Sequence, residues 1–108
     1  MSAAGKLRER VTIEQVATSR DAVGGTVETW SQLAQVWARV EPMSVRESYQ
    51  RHVMNAQASW KVTIRHRSDV TAKMRVRWGA RMFEIKGITN ADERRFMLAL
   101  SCEEIAVR

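Results

Sequence analysis

The side chains in this sequence best suited to chemistry are its cations. Lys and Arg together number 18 against 12 Asp and Glu, a formal charge of +6, and the isoelectric point is near 10.4. Of the 18 basic residues, 14 are Arg and 4 are Lys. Arg presents a planar fork of donors that matches phosphate and carboxylate two bonds at a time. The composition therefore points to an acidic partner or to a solvated basic surface. Catalytic patterns are missing. His52 and His66 stand at no recognised spacing to a serine, cysteine or carboxylate, and HExxH, GxSxG, P-loop and GxGxxG patterns do not occur. Gly24-Gly25 leads into Thr26-Val27-Glu28-Thr29-Trp30, which reads as a strand rather than a helix, so it does not cradle a phosphate. Cys102 falls on the same alternating face as Phe96, Leu98 and Leu100, as expected for a buried, inert thiol. A single cysteine allows no internal disulfide. Two histidines and one cysteine do not make a zinc cage. The expectation is a protein with no catalytic residue, no metal and no cofactor.

The elements that would carry the cations are strands. Val11 and Ile13 alternate with Arg10, Thr12 and Glu14. Asp21-Ala22-Val23-Gly24-Gly25 has turn chemistry. Thr26 to Trp30 reads as a second short strand. Val36, Ala38 and Val40, set against Trp37, Arg39 and Glu41, form a third that Pro42 ends. Trp60, Val62 and Ile64 alternate with Lys61, Thr63 and Arg65. Met74, Val76 and Trp78 alternate with Lys73, Arg75 and Arg77. Phe83 and Ile85 follow the Gly79-Ala80 turn, and Phe96 to Glu103 closes the series. The pattern predicts a mainly β fold, a small β-barrel or sandwich of six to seven antiparallel strands.

One stretch departs from this period. From Ser44 to Ala58 the apolar residues Val45, Tyr49, Val53 and Ala56 fall at helical spacing. Ser44 with Glu47 makes a capping box, and Glu47 sits four residues before Arg51. Residues 43–59 therefore read as a long, partly helical insertion between the third and fourth strands, either packed on the barrel or ordered only on assembly.

If the strands around Trp60–Arg67 and Lys73–Trp78 pair through a hairpin at Ser68–Ala72, then Lys61, Arg65, Arg67, Lys73, Arg75 and Arg77 share one face. Six cations on two strands repel one another. Such a face invites phosphate or carboxylate, although an Arg-rich solvated face that guards a sheet edge is the plainer reading. No aromatic ladder lies on it to stack single-stranded bases. Of the four tryptophans, one or two belong in a core this small. An outward Trp37, together with outward Met97 and Ala99, would be a weak interface signal.

At 108 residues, 44% hydrophobic and 28% charged, the chain is expected to be one domain over 1–108, large enough for its own core. No apolar run approaches the ~20 residues of a membrane span, and Met1–Arg10 lacks the apolar stretch of a secretory signal. A soluble, intracellular protein with no membrane partner is expected.

The order of segments is more specific than any one of them. Gly5-Lys6-Leu7-Arg8-Glu9-Arg10-Val11-Thr12-Ile13 is followed by Asp21–Thr26, Thr29-Trp30, Val36–Val40 and Arg46-Glu47. Then come Val62–Arg67, Asp69-Val70-Thr71, Met74-Arg75-Val76, Arg81–Ile85, Arg94-Arg95 and Leu98. Over nearly its whole length the chain resembles the phage head–tail joining family, the head-closure or stopper proteins of long-tailed phages. The resemblance implies a small β-barrel with a long insertion, placed in the neck of the virion and assembled in the host cytoplasm. It implies a homo-oligomeric ring, sixfold or twelvefold, with a portal or adaptor protein above and a tail terminator or tail protein below. Double-stranded DNA would pass through the ring. In such proteins the insertion closes the channel, and the matching stretch is 43–59. That makes Ser44, Arg46, Glu47, Tyr49, Gln50, Arg51 and His52 the candidate channel residues. The Arg-rich strands become candidates for contact with DNA or with a neighbouring subunit's Glu9–Glu14 or Glu103-Glu104. The alternative reading is a small basic barrel that binds nucleic acid directly.

Overall fold

The structure is a computed structural model that describes residues 7–43, 59–90 and 96–106. Six strands account for most of them: β1 (Glu9–Arg20), β2 (Thr26–Pro42), β3 (Ser59–Arg65), β4 (Arg75–Trp78), β5 (Arg81–Asn90) and β6 (Met97–Ile105). All pairings are antiparallel, in the order β1-β2-β3-β6-β5-β4. β1 also pairs with β4, so the sheet closes on itself as a barrel. No helix occurs among the described residues.

Alternation fills the interior. Val11, Ile13, Ala38, Val62, Ile64, Val76, Phe83, Ile85, Leu98, Leu100 and Cys102 form one buried cluster. Two bulges correct the phase where strict alternation would fail. Ile13 pairs with Ala34 but Glu14 with Gln32, which leaves Leu33 as the extra residue, packed against the core. Ile85 pairs with Cys102 but Gly87 with Ser101, so Lys86 is extra and Ile88 takes the inward side after it. Trp60, Trp78 and Phe83 meet in an aromatic cluster, with Trp60 and Phe83 5.6 Å apart and Trp78 stacked on Phe83 at 6.3 Å.

Several expectations are revised. The short strands expected at Thr26–Trp30 and Val36–Val40 are parts of the single 17-residue β2. The insertion thus leaves from the end of the second strand and returns at the start of the third. Its two ends are held together by a hydrogen bond from the Met43 amide to the Ser59 carbonyl, 3.0 Å. The helix expected over 44–58 lies outside the described residues. Ser68–Ala72 is not a hairpin loop. β3 lies between β2 and β6, and β4 between β5 and β1, so β3 and β4 do not pair. The connection between them instead buries Val70 in the core. Met97 and Ala99, expected outward and exposed, are both 3% exposed, because β6 is covered on both faces. Phe96, expected inside, is 63% exposed just ahead of β6.

Beyond the barrel, β1 and β2 continue as a two-stranded arm. From Gln15↔Ser31 to Arg20↔Thr26 neither strand has a third neighbour among the described residues. The arm is about 20 Å long. Its turn is tied by Asp21, whose Oδ1 accepts from the Val23 amide at 3.0 Å and the Gly25 amide at 2.7 Å. Gly24 takes φ +85°, a conformation that L side chains rarely adopt.

Cys102 Sγ donates to the Leu100 carbonyl at 3.6 Å, and burial pushes the thiol up to about 12. It is therefore expected to resist maleimide in the native protein and to react on unfolding in urea; rapid native labelling would contradict the packing of β6. Phe83→Ala is expected to cost ~3–5 kcal/mol in urea denaturation, because it empties the centre of the aromatic cluster.

Candidate functional site

The outer charged surface is organised by one carboxylate. Glu14 on β1 faces β4, where Arg75 and Arg77 lie two residues apart and so point the same way. Arg75 Nε donates to Glu14 Oε1 at 2.6 Å, and Arg77 Nε to Oε2 at 3.4 Å. Burial alone would raise the Glu14 pKa. The bonds and charges of the two guanidinium groups outweigh that and hold it below the usual glutamate range. Arg75 also lies 3.9 Å over the Trp30 ring of the arm. This one guanidinium thus joins β4, β1 and the root of the arm.

Several other cations are paired locally. Glu41 takes Arg39 at 2.9 Å and Lys61 at 3.6 Å. Arg67 and Asp69 form a two-bond pair at 3.0 and 2.8 Å, which holds the Asp69 pKa down. Arg81 does the same with Glu104, both bonds 2.8 Å, while lying 4.4 Å over Trp60. Trp78 Nε1 donates to Glu9 at 3.3 Å.

This arrangement corrects the expected basic face. Lys61 and Arg65 lie on β3, and Arg75 and Arg77 lie on β4, with which β3 does not pair. Arg67 and Lys73 stand in the connection between them. The structure therefore does not bring the six cations together. Glu9, Glu14 and Glu104, considered above as a neighbour's acidic patch, are partners within this chain. Ser44, Arg46, Glu47, Tyr49, Gln50, Arg51 and His52 lie outside the described residues.

The structure does assemble a different cluster. Arg10 on β1 is the register partner of Trp37 on β2 and stands 5.1 Å over its ring. Trp37 is 54% exposed. With Gln35, Arg65, His66 and Arg67 these residues line an open cleft of about 380 Å³. The Phe96 backbone lies next to the cleft residue His66, whose amide donates to the Phe96 carbonyl at 2.8 Å. The outward position of Trp37 was readable from alternation. Its company was not, because Arg10 and Arg65 are far apart in sequence. Among the described residues no three of His, Cys, Asp and Glu are grouped to hold a metal.

Comparison with known proteins gives consistent relatives. A family model described as phage head completion protein matches residues 3–105. Head completion protein gp7 of Enterobacteria phage HK97 is 39% identical over 72 residues, which are 67% of this chain and 64% of that protein, so the match spans less than two thirds of the relative's length. Among solved structures, protein SF1141 from Shigella flexneri 2a superposes with a TM-score of 0.79 at 29% identity, covering 99% of this chain and 100% of the other. A chain from the virion of a native gene transfer agent particle superposes at 0.65 with 19% identity, covering 94% of this chain and 97% of its own, which shows a shared fold.

Glu14→Gln keeps the shape but leaves Arg75 and Arg77 facing each other without a counter-charge. It is expected to cost on the order of 1–3 kcal/mol in denaturant unfolding. Because the Glu14 pKa is lower in the folded than in the unfolded chain, its contribution is full above about 4.5 and declines as pH falls below that. Native stability is expected to drop there, and the Gln variant to lose part of that acid dependence. Identical pH profiles for the two proteins would show that Glu14 is not strained toward its anion.

Proposed function

The chain belongs to the phage head completion protein family, and on that premise we propose that copies of it form the ring that joins a DNA-filled head to a tail. The family match over 3–105 carries this reading, and the filled interior of the barrel is consistent with it. Phe83, Leu100, Ile64 and their neighbours leave no room for a duplex inside one chain. A DNA passage in this reading lies between copies, within a cyclic assembly. The portal or adaptor side lies above the ring and the tail protein below. Residues 43–59 reach toward the channel and close it. Met43 and Ser59 are already bonded to each other, so the insertion can vary without disturbing the barrel's ladder.

Direct tight binding of nucleic acid has less support. Most of the expected basic face is neutralised within the chain, by Glu41, Asp69 and Glu14. A passage that lets DNA move also requires weak contact.

The reading is tested by the solution mass of the purified protein, by light scattering, with and without DNA-filled tailless heads. A ring, or a monomer that is incorporated into those heads and lets them accept tails, is the expected result. A monomer that ignores heads and binds duplex DNA with a steep salt dependence would overturn it. Replacing 44–58 with a short Gly/Ser linker is expected to leave the melting transition in place while completed heads leak DNA. Heads that stay sealed would remove the plug role.

A further inference from the structure

The two ends of the β1–β2 hairpin carry opposite surface chemistry. At the tip of the arm, Val23 is 92% and Val27 42% exposed. Asp21 lies in the turn and Glu28 further back along the arm, where it lines a groove with Lys73 and Arg75; against the single cation Arg20 the outer arm carries a net negative charge. Ten residues back along the same ladder, about 33 Å away, is the Arg10–Trp37 cleft, where Arg65, His66 and Arg67 gather. Trp37 is 54% exposed, and Phe96 beside the cleft 63%. These four are the large exposed hydrophobic side chains of the described residues, two at each end. Seven of the described cations are paired within the chain, whereas Arg10 and Arg65, like Arg8, Arg20 and Lys73, have no carboxylate partner among the described residues.

We propose that the arm tip of one copy docks in the Arg10–Trp37–Arg65 cleft of the next copy, and that this contact builds the ring; the inference rests on the assembly proposed above. A two-stranded ribbon with no third strand is marginal by itself and gains from being covered. The cleft offers what a docking hot spot needs, an aromatic side chain flanked by arginines. The acidic tip meets a basic cleft, which favours this partner and repels tip-to-tip pairing. Tip and cleft are different patches on one chain, so the contact is head-to-tail and repeats from copy to copy, as a cyclic assembly requires. Arg75 contributes by holding the arm at its root, through Glu14 and Trp30.

Cysteines placed at the two ends test this in assembled particles. In the Val23→Cys, Gln35→Cys variant the two thiols of one chain are too far apart to bridge, and buried Cys102 does not compete. Mild oxidation of particles carrying this variant is expected to give a ladder of covalent multimers of this chain on a non-reducing gel, absent from either single-cysteine protein. Charge exchange supplies a second arm. Glu28→Arg and Arg65→Glu are each expected to lower incorporation into heads about tenfold, and the double variant to recover it. Particles that contain the protein and carry tails but yield no ladder would overturn the docking proposal. So would a tip cysteine that cross-links only to a different virion protein. Particles that never contain the protein would overturn the ring reading itself.

Discussion

The barrel exists because three residue pairs join β1 to β4: Thr12↔Arg77, Ile13↔Val76 and Glu14↔Arg75. Every other seam is longer. Without this one the sheet has two open edges and its apolar face has nothing to close on. The short seam is reinforced on both faces. Inside, Ile13 and Val76 are fully buried. Outside, Glu14 bridges two guanidinium groups that would otherwise repel each other two residues apart. The same carboxylate sits next to the Leu33 bulge, where the barrel ends and the free arm begins. Closure and the orientation of the arm thus share one ion-paired group.

Among the described residues, closure of so small a sheet leaves its interior occupied by side chains. The interior is filled by branched aliphatic and aromatic side chains, with the Trp60–Trp78–Phe83 cluster capped by Arg81 and its bond to Glu104. What the molecule does therefore lies in its outer surface and its two excursions, the arm and the insertion between Met43 and Ser59. In the assembly proposed above, a rigid barrel would give each copy a fixed shape, and projections on it could make contacts that a barrel wall cannot.

The net positive charge acquires a different meaning in this light. Read as a total, it suggests an electrostatic surface for a polyanion. In the folded chain most strand-borne cations have a carboxylate within 4 Å, at Glu14, Glu41, Glu84 or Glu104, and Arg67 after β3 has Asp69. Apart from the part-buried Glu14–Arg75 pair, exposed pairs of this kind contribute little to stability, about 0–1 kcal/mol each. They do reduce the local field where they form, and the cleft at Arg10 and Arg65 is one place where the cations lack such a partner among the described residues.

The mainly β character, many of the inward residues, the turn at Asp21–Gly25 and the buried thiol were legible in the sequence. Each depends on a local rule, a two-residue side-chain period or the turn preference of Asp and Gly. Family membership was legible too, since it rests on the order of segments rather than on their contacts. Pairing was not. Whether β3 lies beside β4 or across the barrel from it depends on which edges remain open after all six strands have met. The connection at Ser68–Ala72 has the length of a hairpin loop, but Val70 enters the core and the flanking strands do not pair. The two bulges likewise let Leu33 and Ile88 face inward against strict alternation, a change of phase that only the partner strand reveals. Residue types and their period determine which way a side chain points on its own strand. Which charges then become neighbours is decided by closure of the barrel, because that joins residues more than sixty positions apart, such as Glu14 and Arg75.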